Sequence, residues 1–219
     1  FLPPPPAEPP QSAAELAARA GAAGRMPSWL VMAMLSAAVF CCCVTMSMPQ
    51  AHLVAMCGDL GIGPAKGAAM LSVLLGSAFV SRQFWGWLSD RVGGLPTIFY
   101  ASAGQAVAMA GFLATRDEAA LFAVAAVFGL GFGGLIPGYV LAVRDIFPAS
   151  EAGWRIPVVL FPGSIGMAAG SWIAGALYDH AGSYFPGFAA GVAFNLVNLA
   201  LIGVLLAGRR PGRAVPAPA

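Results

Sequence analysis

The chain alternates long apolar runs with short polar or glycine-rich breaks, and the spacing of the breaks sets the number of elements. Apolar runs cover about residues 28 to 56, 67 to 88, 95 to 114, 119 to 143, 156 to 178 and 185 to 207. Each matches or exceeds the ~20 helical residues that cross a ~30 Å hydrocarbon core at ~1.5 Å rise per residue. The breaks fall at Gly58 to Lys66, Gly86 to Gly94, Thr115 to Glu118, Arg144-Asp145 to Trp154-Arg155, and just before Phe185. This pattern predicts an all-α integral membrane protein, a six-transmembrane-helix bundle. Gly86 to Gly94 reads as a tight charged turn that fixes two spans and one aqueous side.

Residues inside the runs refine the picture. Pro49, in the last third of the first run, either bends that helix or marks its end. The fourth run carries Gly129, Gly131, Gly133, Gly134 and Pro137-Gly138. In a soluble helix each such glycine costs ~1 kcal/mol against Ala, whereas between membrane helices it permits close backbone contact or local unwinding. Gly163, Gly166 and Gly170 form a ladder of small residues in the fifth run and read as packing. Asn195 and Asn198 share one face of the sixth. Pro49 and Pro137 take comparable places in the two groups of three spans, which are candidates for a 3+3 inverted repeat.

Composition closes off most alternatives. Hydrophobic residues make up 59% and charged residues 9%, against ~25% charged in soluble domains, and mean hydropathy is +0.80. A soluble globule and a nucleic-acid surface are both excluded. Cys41, Cys42 and Cys43 are consecutive, so their thiols point ~100° apart on a helix and cannot converge on a metal; with Cys57 they read as packing residues. Palmitoylation of the run is the alternative. No HExxH, phosphate loop or GxSxG occurs, so neither an enzyme nor a cofactor is expected. Three parts follow: a Pro/Ala-rich linker over 1–27, the bundle over 28–207, and a tail over 208–219. The first part lacks the basic start and continuous apolar core of a signal peptide. A chain opening on Phe1 is expected to be cut from a longer polypeptide.

Charge distribution predicts orientation. Six crossings put the linker, the Gly86 turn, the Arg144 turn and the tail on one side, with Arg19, Arg25, Arg82, Arg91, Arg144, Arg155, Arg209, Arg210 and Arg213. Only Lys66 and Arg116 lie opposite. The positive-inside rule makes the richer side cytoplasmic, with both termini there. Abundant Ala and Arg suggest a bacterium with GC-rich DNA, hence the inner membrane.

Gly86-Trp87-Leu88-Ser89-Asp90-Arg91-Val92-Gly93 spells GxLxDRxG between two spans. This resembles the cytoplasmic loop signature of major facilitator superfamily transporters, although Gly94 and Leu95 stand where basic residues usually follow. The resemblance implies one six-helix half of that fold, the C-terminal one, with an N-terminal six-helix half as partner. It narrows further to the monocarboxylate transporter and oxalate:formate antiporter branch. There an arginine in the eighth helix, four positions before the loop glycine, binds the substrate carboxylate, and Arg82 holds that place relative to Gly86. The aspartate that accompanies it in animal monocarboxylate carriers falls at Ala78. Gly175-Ala176-Leu177-Tyr178-Asp179-His180-Ala181-Gly182-Ser183-Tyr184 is similar to the branch's link between its last two helices.

Arg82 is the sharpest chemical signal. A guanidinium in hydrocarbon costs at least ~2.5 to 3.5 kcal/mol at mid-depth, so it faces a wet cavity or a partner, and its planar fork suits a carboxylate. The competing reading is that it snorkels to headgroups. Gln50 and Tyr139 are expected to add neutral hydrogen bonds to substrate, and His52 is the candidate for proton coupling. Asp90, Arg91, Arg144, Glu151 and Arg155 form either a gate of breakable ion pairs or solvated loop ends. The expected function is movement of small organic anions, monocarboxylates, across the bilayer by alternating access. An exporter of drugs or neutral solutes with the same fold, and a non-transporting membrane scaffold or receptor, are the alternatives.

Overall fold

A computed structural model describes residues 26–208. Most of the 1–27 linker, the tail beyond Gly208, and Arg19, Arg25, Arg209, Arg210 and Arg213 lie outside the described residues. The described chain forms α1 (Ser28–Asp59), α2 (Pro64–Val92), α3 (Gly94–Ala114), α4 (Glu118–Phe132), α5 (Leu135–Ile146), α6 (Ala149–Ala181) and α7 (Phe185–Gly208). Helices α4 and α5 follow each other across Gly133-Gly134 and make one crossing, Glu118–Ile146, so six segments are long and apolar enough to span a membrane. No strand occurs among the described residues. This is the six-helix, all-α membrane architecture that the apolar runs predict.

The helices outrun the apolar segments, which corrects two expected turns. Gly86 to Gly94 is not a turn: α2 continues through Gly86, Asp90 and Arg91 to Val92, and the chain reverses at Gly93, whose φ of +86° is a conformation that favours glycine. Likewise Glu151, Trp154 and Arg155 belong to the opening turns of α6, and only Phe147-Pro148 separates it from α5. Polar residues at these places mark helix emerging into water rather than helix ending. Glu151 in the first turn complements the positive N-terminal end of the α6 dipole. Pro49 does not end α1, which runs ten residues further to Asp59. Gly182, with φ +63°, closes α6 by donating its N–H to the Tyr178 carbonyl at 2.8 Å.

Small residues set the packing. A Cβ on Gly166 would strike the Phe40 carbonyl and one on Gly170 the Val44 carbonyl and Ser47 Oγ, so α6 lies backbone to backbone on α1. On the other side of the bundle, Gly129 and Gly133 of the α4–α5 crossing press in the same way on Leu74, Ala78 and Ser81 of α2. Thus the first helix of each trio packs on the second helix of the other trio, and each first helix also packs on the other trio's third: α1 on α7, and α4–α5 on α3. Such an exchange is what an inverted pair of trios produces. Both first helices are buried on every face at mid-length, over 41 to 49 and 131 to 135. All four cysteines are buried and unbridged.

Candidate functional site

Polar side chains divide into those satisfied inside the bundle and those presented outward. Tyr139, expected at a substrate contact, is fully buried: its hydroxyl donates to Asn198 Oδ1 at 2.7 Å, and Asn198 Nδ2 donates to Ser102 Oγ at 2.6 Å. One turn along α7, Asn195 Nδ2 donates to Gln105 Oε1 at 2.7 Å. Asn195 and Asn198 are three residues apart and so share a face, and that face lies on α3. Thr45 Oγ1 donates to the Gly191 carbonyl at 2.8 Å and ties α1 to α7. These bonds replace the water that each group loses on burial. Gln105 Nε2 and Asn195 Oδ1 are the exceptions, buried without a partner among the described residues.

Arg82 behaves differently. It is exposed at the surface of the six-helix bundle and has no ion-pair or hydrogen-bond partner among the described residues. Because α2 continues to Val92, Arg82 lies ten residues from that end, about 15 Å along the axis, and eight residues before Asp90. Trp85, three residues beyond Arg82, turns inward and donates its indole N–H to the Leu130 carbonyl at 2.6 Å, over Gly134 at the α4–α5 break.

His52 and Gln50 are half-buried near the opposite end, roughly 15–20 Å from Arg82 along the bundle axis. Gln50 and His52 are two residues apart and so point to nearly opposite sides of α1. His52 Nε2 sits 2.9 Å from the Ser171 carbonyl of α6, which can only accept, so Nε2 carries hydrogen and Nδ1 is the nitrogen left to take a proton. Its ring lies 5.4 Å from Tyr184, which stacks on Tyr178 at 4.4 Å. Burial, then the nearby Asp59 and Asp179 carboxylates, raise the Tyr184 phenol above its ordinary range, so it stays a neutral donor.

The five charged residues read as a gate or as solvated loop ends fall into separate arrangements. Arg155 and Glu151 pair within α6, with Nε at 2.7 Å and NH2 at 2.6 Å from Oε2, and the guanidinium lies 4.1 Å from the Phe147 ring centroid. Arg91 stacks on Trp87 at 4.0 Å. Asp90 and Arg144 line a polar cavity of about 830 Å³ with Asp145, Ala149, Gly153 and Pro157, between the ends of α2 and α5 and the start of α6. No ion pair joins the five across helices among the described residues.

A family model described as Major Facilitator Superfamily matches residues 17–219, nearly the whole chain. The chain belongs to the major facilitator superfamily. Monocarboxylate transporter 13 of Rattus norvegicus is 29% identical over 155 residues, covering 69% of this chain and 36% of that protein. MFS-type transporter opdF of Penicillium oxalicum is 28% identical over 166 residues, covering 74% and 39%. A crystal structure of a mutant peptide transporter POT in complex with sulfate superposes with a TM-score of 0.81 at 19% identity, covering 95% of this chain and 45% of that one. That likeness is of fold. The chain spans less than half the length of each of these relatives, all of them transporters rather than enzymes.

One residue of this superfamily member lay outside the expected set. Asp145 Oδ2 accepts the Gly94 N–H at 2.8 Å, capping α3 from the end of α5, where a Cβ on Gly94 would collide with Ala142. A carboxylate beside Arg144 at a span end is visible in the sequence, but the helix that it caps begins 51 residues earlier.

Proposed function

We propose that this chain is the C-terminal half of a secondary transporter that moves small organic anions, monocarboxylates, by alternating access, with Arg82 as the group that binds the carboxylate. The observation that carries the reading is an exposed guanidinium, unpartnered among the described residues, within a spanning helix about 15 Å from its end. Hydrocarbon does not solvate that charge, so its surroundings in the whole protein are a wet path or a counter-ion. The name of the monocarboxylate transporter relative supports the substrate class. An N-terminal six-helix half supplies the facing wall.

Gln50 and His52 act in a second layer nearer the other end, with His52 Nδ1 taking the coupled proton. Tyr139 contributes through Asn198 and holds α5 to α7 rather than touching substrate. Asp90 and Arg144 gate the end that opens onto the polar cavity, while Arg91, Glu151 and Arg155 position that end. Arg91, Arg144 and Arg155 set this side, and with it both termini, in the cytoplasm of a bacterial inner membrane.

Uptake of a labelled monocarboxylate by the complete protein tests the reading. Arg82→Ala and Arg82→Lys are each expected to abolish uptake at unchanged membrane level, because an ammonium lacks the bidentate fork. Wild-type uptake by both variants overturns it. Undiminished movement of neutral solutes by Arg82→Ala, without carboxylate uptake by the parent, favours the neutral-solute exporter instead.

A further inference from the structure

The flank of α2 turned away from Arg82 is built from different material. Val80, Phe84 and Trp87 recur there at helical spacing, and each is more than half exposed. Val80 and Phe84, with Trp85, Tyr100 of α3 and Val127 and Leu130 of α4, surround a crevice of about 440 Å³, walled almost wholly by apolar atoms, and Trp87 stands beside it toward the helix end. Its floor is glycine: Gly104 and Gly131 bring the α3 and α4 backbones together, and a Cβ on Gly104 would sit 3.6 Å from Gly131 Cα. An apolar hollow of this kind on a spanning face meets acyl chains in a bilayer.

A positive charge caps the hollow. From Phe84 a continuous path of side chains leads to the helix end: Phe84 to Trp87 at 6.1 Å between ring centroids, then Trp87 to the Arg91 guanidinium at 4.0 Å. Arg91 is exposed and has no carboxylate partner among the described residues. It stands seven residues beyond Phe84, about 10 Å along the axis, on the same flank. An aromatic belt with an arginine just outside it is how a helix meets the headgroup layer. Ring contact holds this arginine in place without satisfying its donors, all of which remain free for oxygen ligands.

We propose that the α2–α3–α4 crevice binds one anionic phospholipid, with an acyl chain in the hollow over Gly104 and Gly131 and the headgroup phosphate on Arg91. A phosphate offers the planar guanidinium two acceptors, and a choline headgroup adds a cation that weakens the pairing. The site is independent of the Arg82 reading, since it lies on another flank and needs no transport.

The complete protein, reconstituted in phosphatidylcholine vesicles with a trace of phosphatidylglycerol bearing a photoreactive diazirine on its acyl chain, tests this. Illumination is expected to concentrate adducts in residues 80 to 87 and 100 to 104. Unlabelled phosphatidylglycerol should displace them at about one-fifth the concentration needed of phosphatidylcholine, the preference that one basic residue near the surface provides. Arg91→Gln should equalise the two lipids. Gly104→Leu, whose Cβ would meet only Gly131 Cα at an ordinary 3.6 Å and whose side chain would occupy the crevice, should remove these adducts and leave those elsewhere. Adducts spread evenly over the outward helix faces, equal displacement by both lipids, or a preference that survives Arg91→Gln overturns the proposal. So does the absence of adducts on these segments, which would mean that protein, a second copy or the N-terminal half, covers the face.

Discussion

Arg82 and Tyr139 are both polar side chains set in apolar spans, yet the fold treats them in opposite ways. Tyr139 is enclosed, with Asn198 and Ser102 completing its hydrogen bonds inside the half-bundle. Arg82 is presented outward without a partner among the described residues. The lesson concerns where the partner of a costly group resides. A group satisfied at home contributes to stability and can be removed at a predictable loss. A group left open in an otherwise complete bundle has its counterpart elsewhere, in solvent, solute or another chain segment.

The comparison breaks most severely if the enclosed region itself is disrupted. Gly170→Leu would drive its side chain into the Val44 carbonyl and Ser47 Oγ. Backbone cannot yield as a flexible side chain can, so the α1–α6 seam must open, at a cost of about 3 kcal/mol or more. Loss of folded protein from the membrane fraction, read by detergent-resistant size exclusion, is the expected outcome; normal recovery would show that the seam is not close-packed. A milder probe is Tyr139→Phe, which leaves Asn198 Oδ1 unpaired in the interior. It should lower stability by about 1–3 kcal/mol, read as a fall in thermal unfolding temperature, while the KM for substrate stays unchanged. A selective rise in KM would move Tyr139 to the open group.

Ser102→Ala, at the end of the same chain of bonds, removes one acceptor and should cost about 1 kcal/mol in the same assay. The smallest effect is expected at Lys66 and Glu118, paired at 2.8 Å but well exposed. Lys66→Ala should change stability by no more than about 0.5 kcal/mol, because water competes for both partners. A larger loss there would mean that partnership alone, rather than enclosure, governs stability.

Much of the architecture was legible in the residues. The apolar runs located all six crossings because no other arrangement hides that much hydrocarbon, and the Gly163, Gly166 and Gly170 ladder announced a close-packed seam without naming α1 as its partner. Helix ends were not legible. Asp90, Arg91, Glu151 and Arg155 look alike in a turn and in a helix that has left the hydrocarbon, and only Gly93, through its positive φ, stops α2. The orientation of Tyr139 was hidden for another reason: it depends on Asn198, 59 residues away, and on α7 lying against α3. The cap that Asp145 places on Gly94 is likewise tertiary. Arg82 stood out because its chemistry is costly in any apolar run, whereas its distance from the end of α2 followed only from where that helix stops.

Equilibrium binding of a labelled monocarboxylate to the purified complete protein, compared among the parent, Arg82→Gln and Tyr139→Phe, bears most directly on the outward guanidinium as the anion's partner. Saturable binding that disappears in Arg82→Gln and persists at parental affinity in Tyr139→Phe is the predicted result. Parental affinity in Arg82→Gln would contradict it.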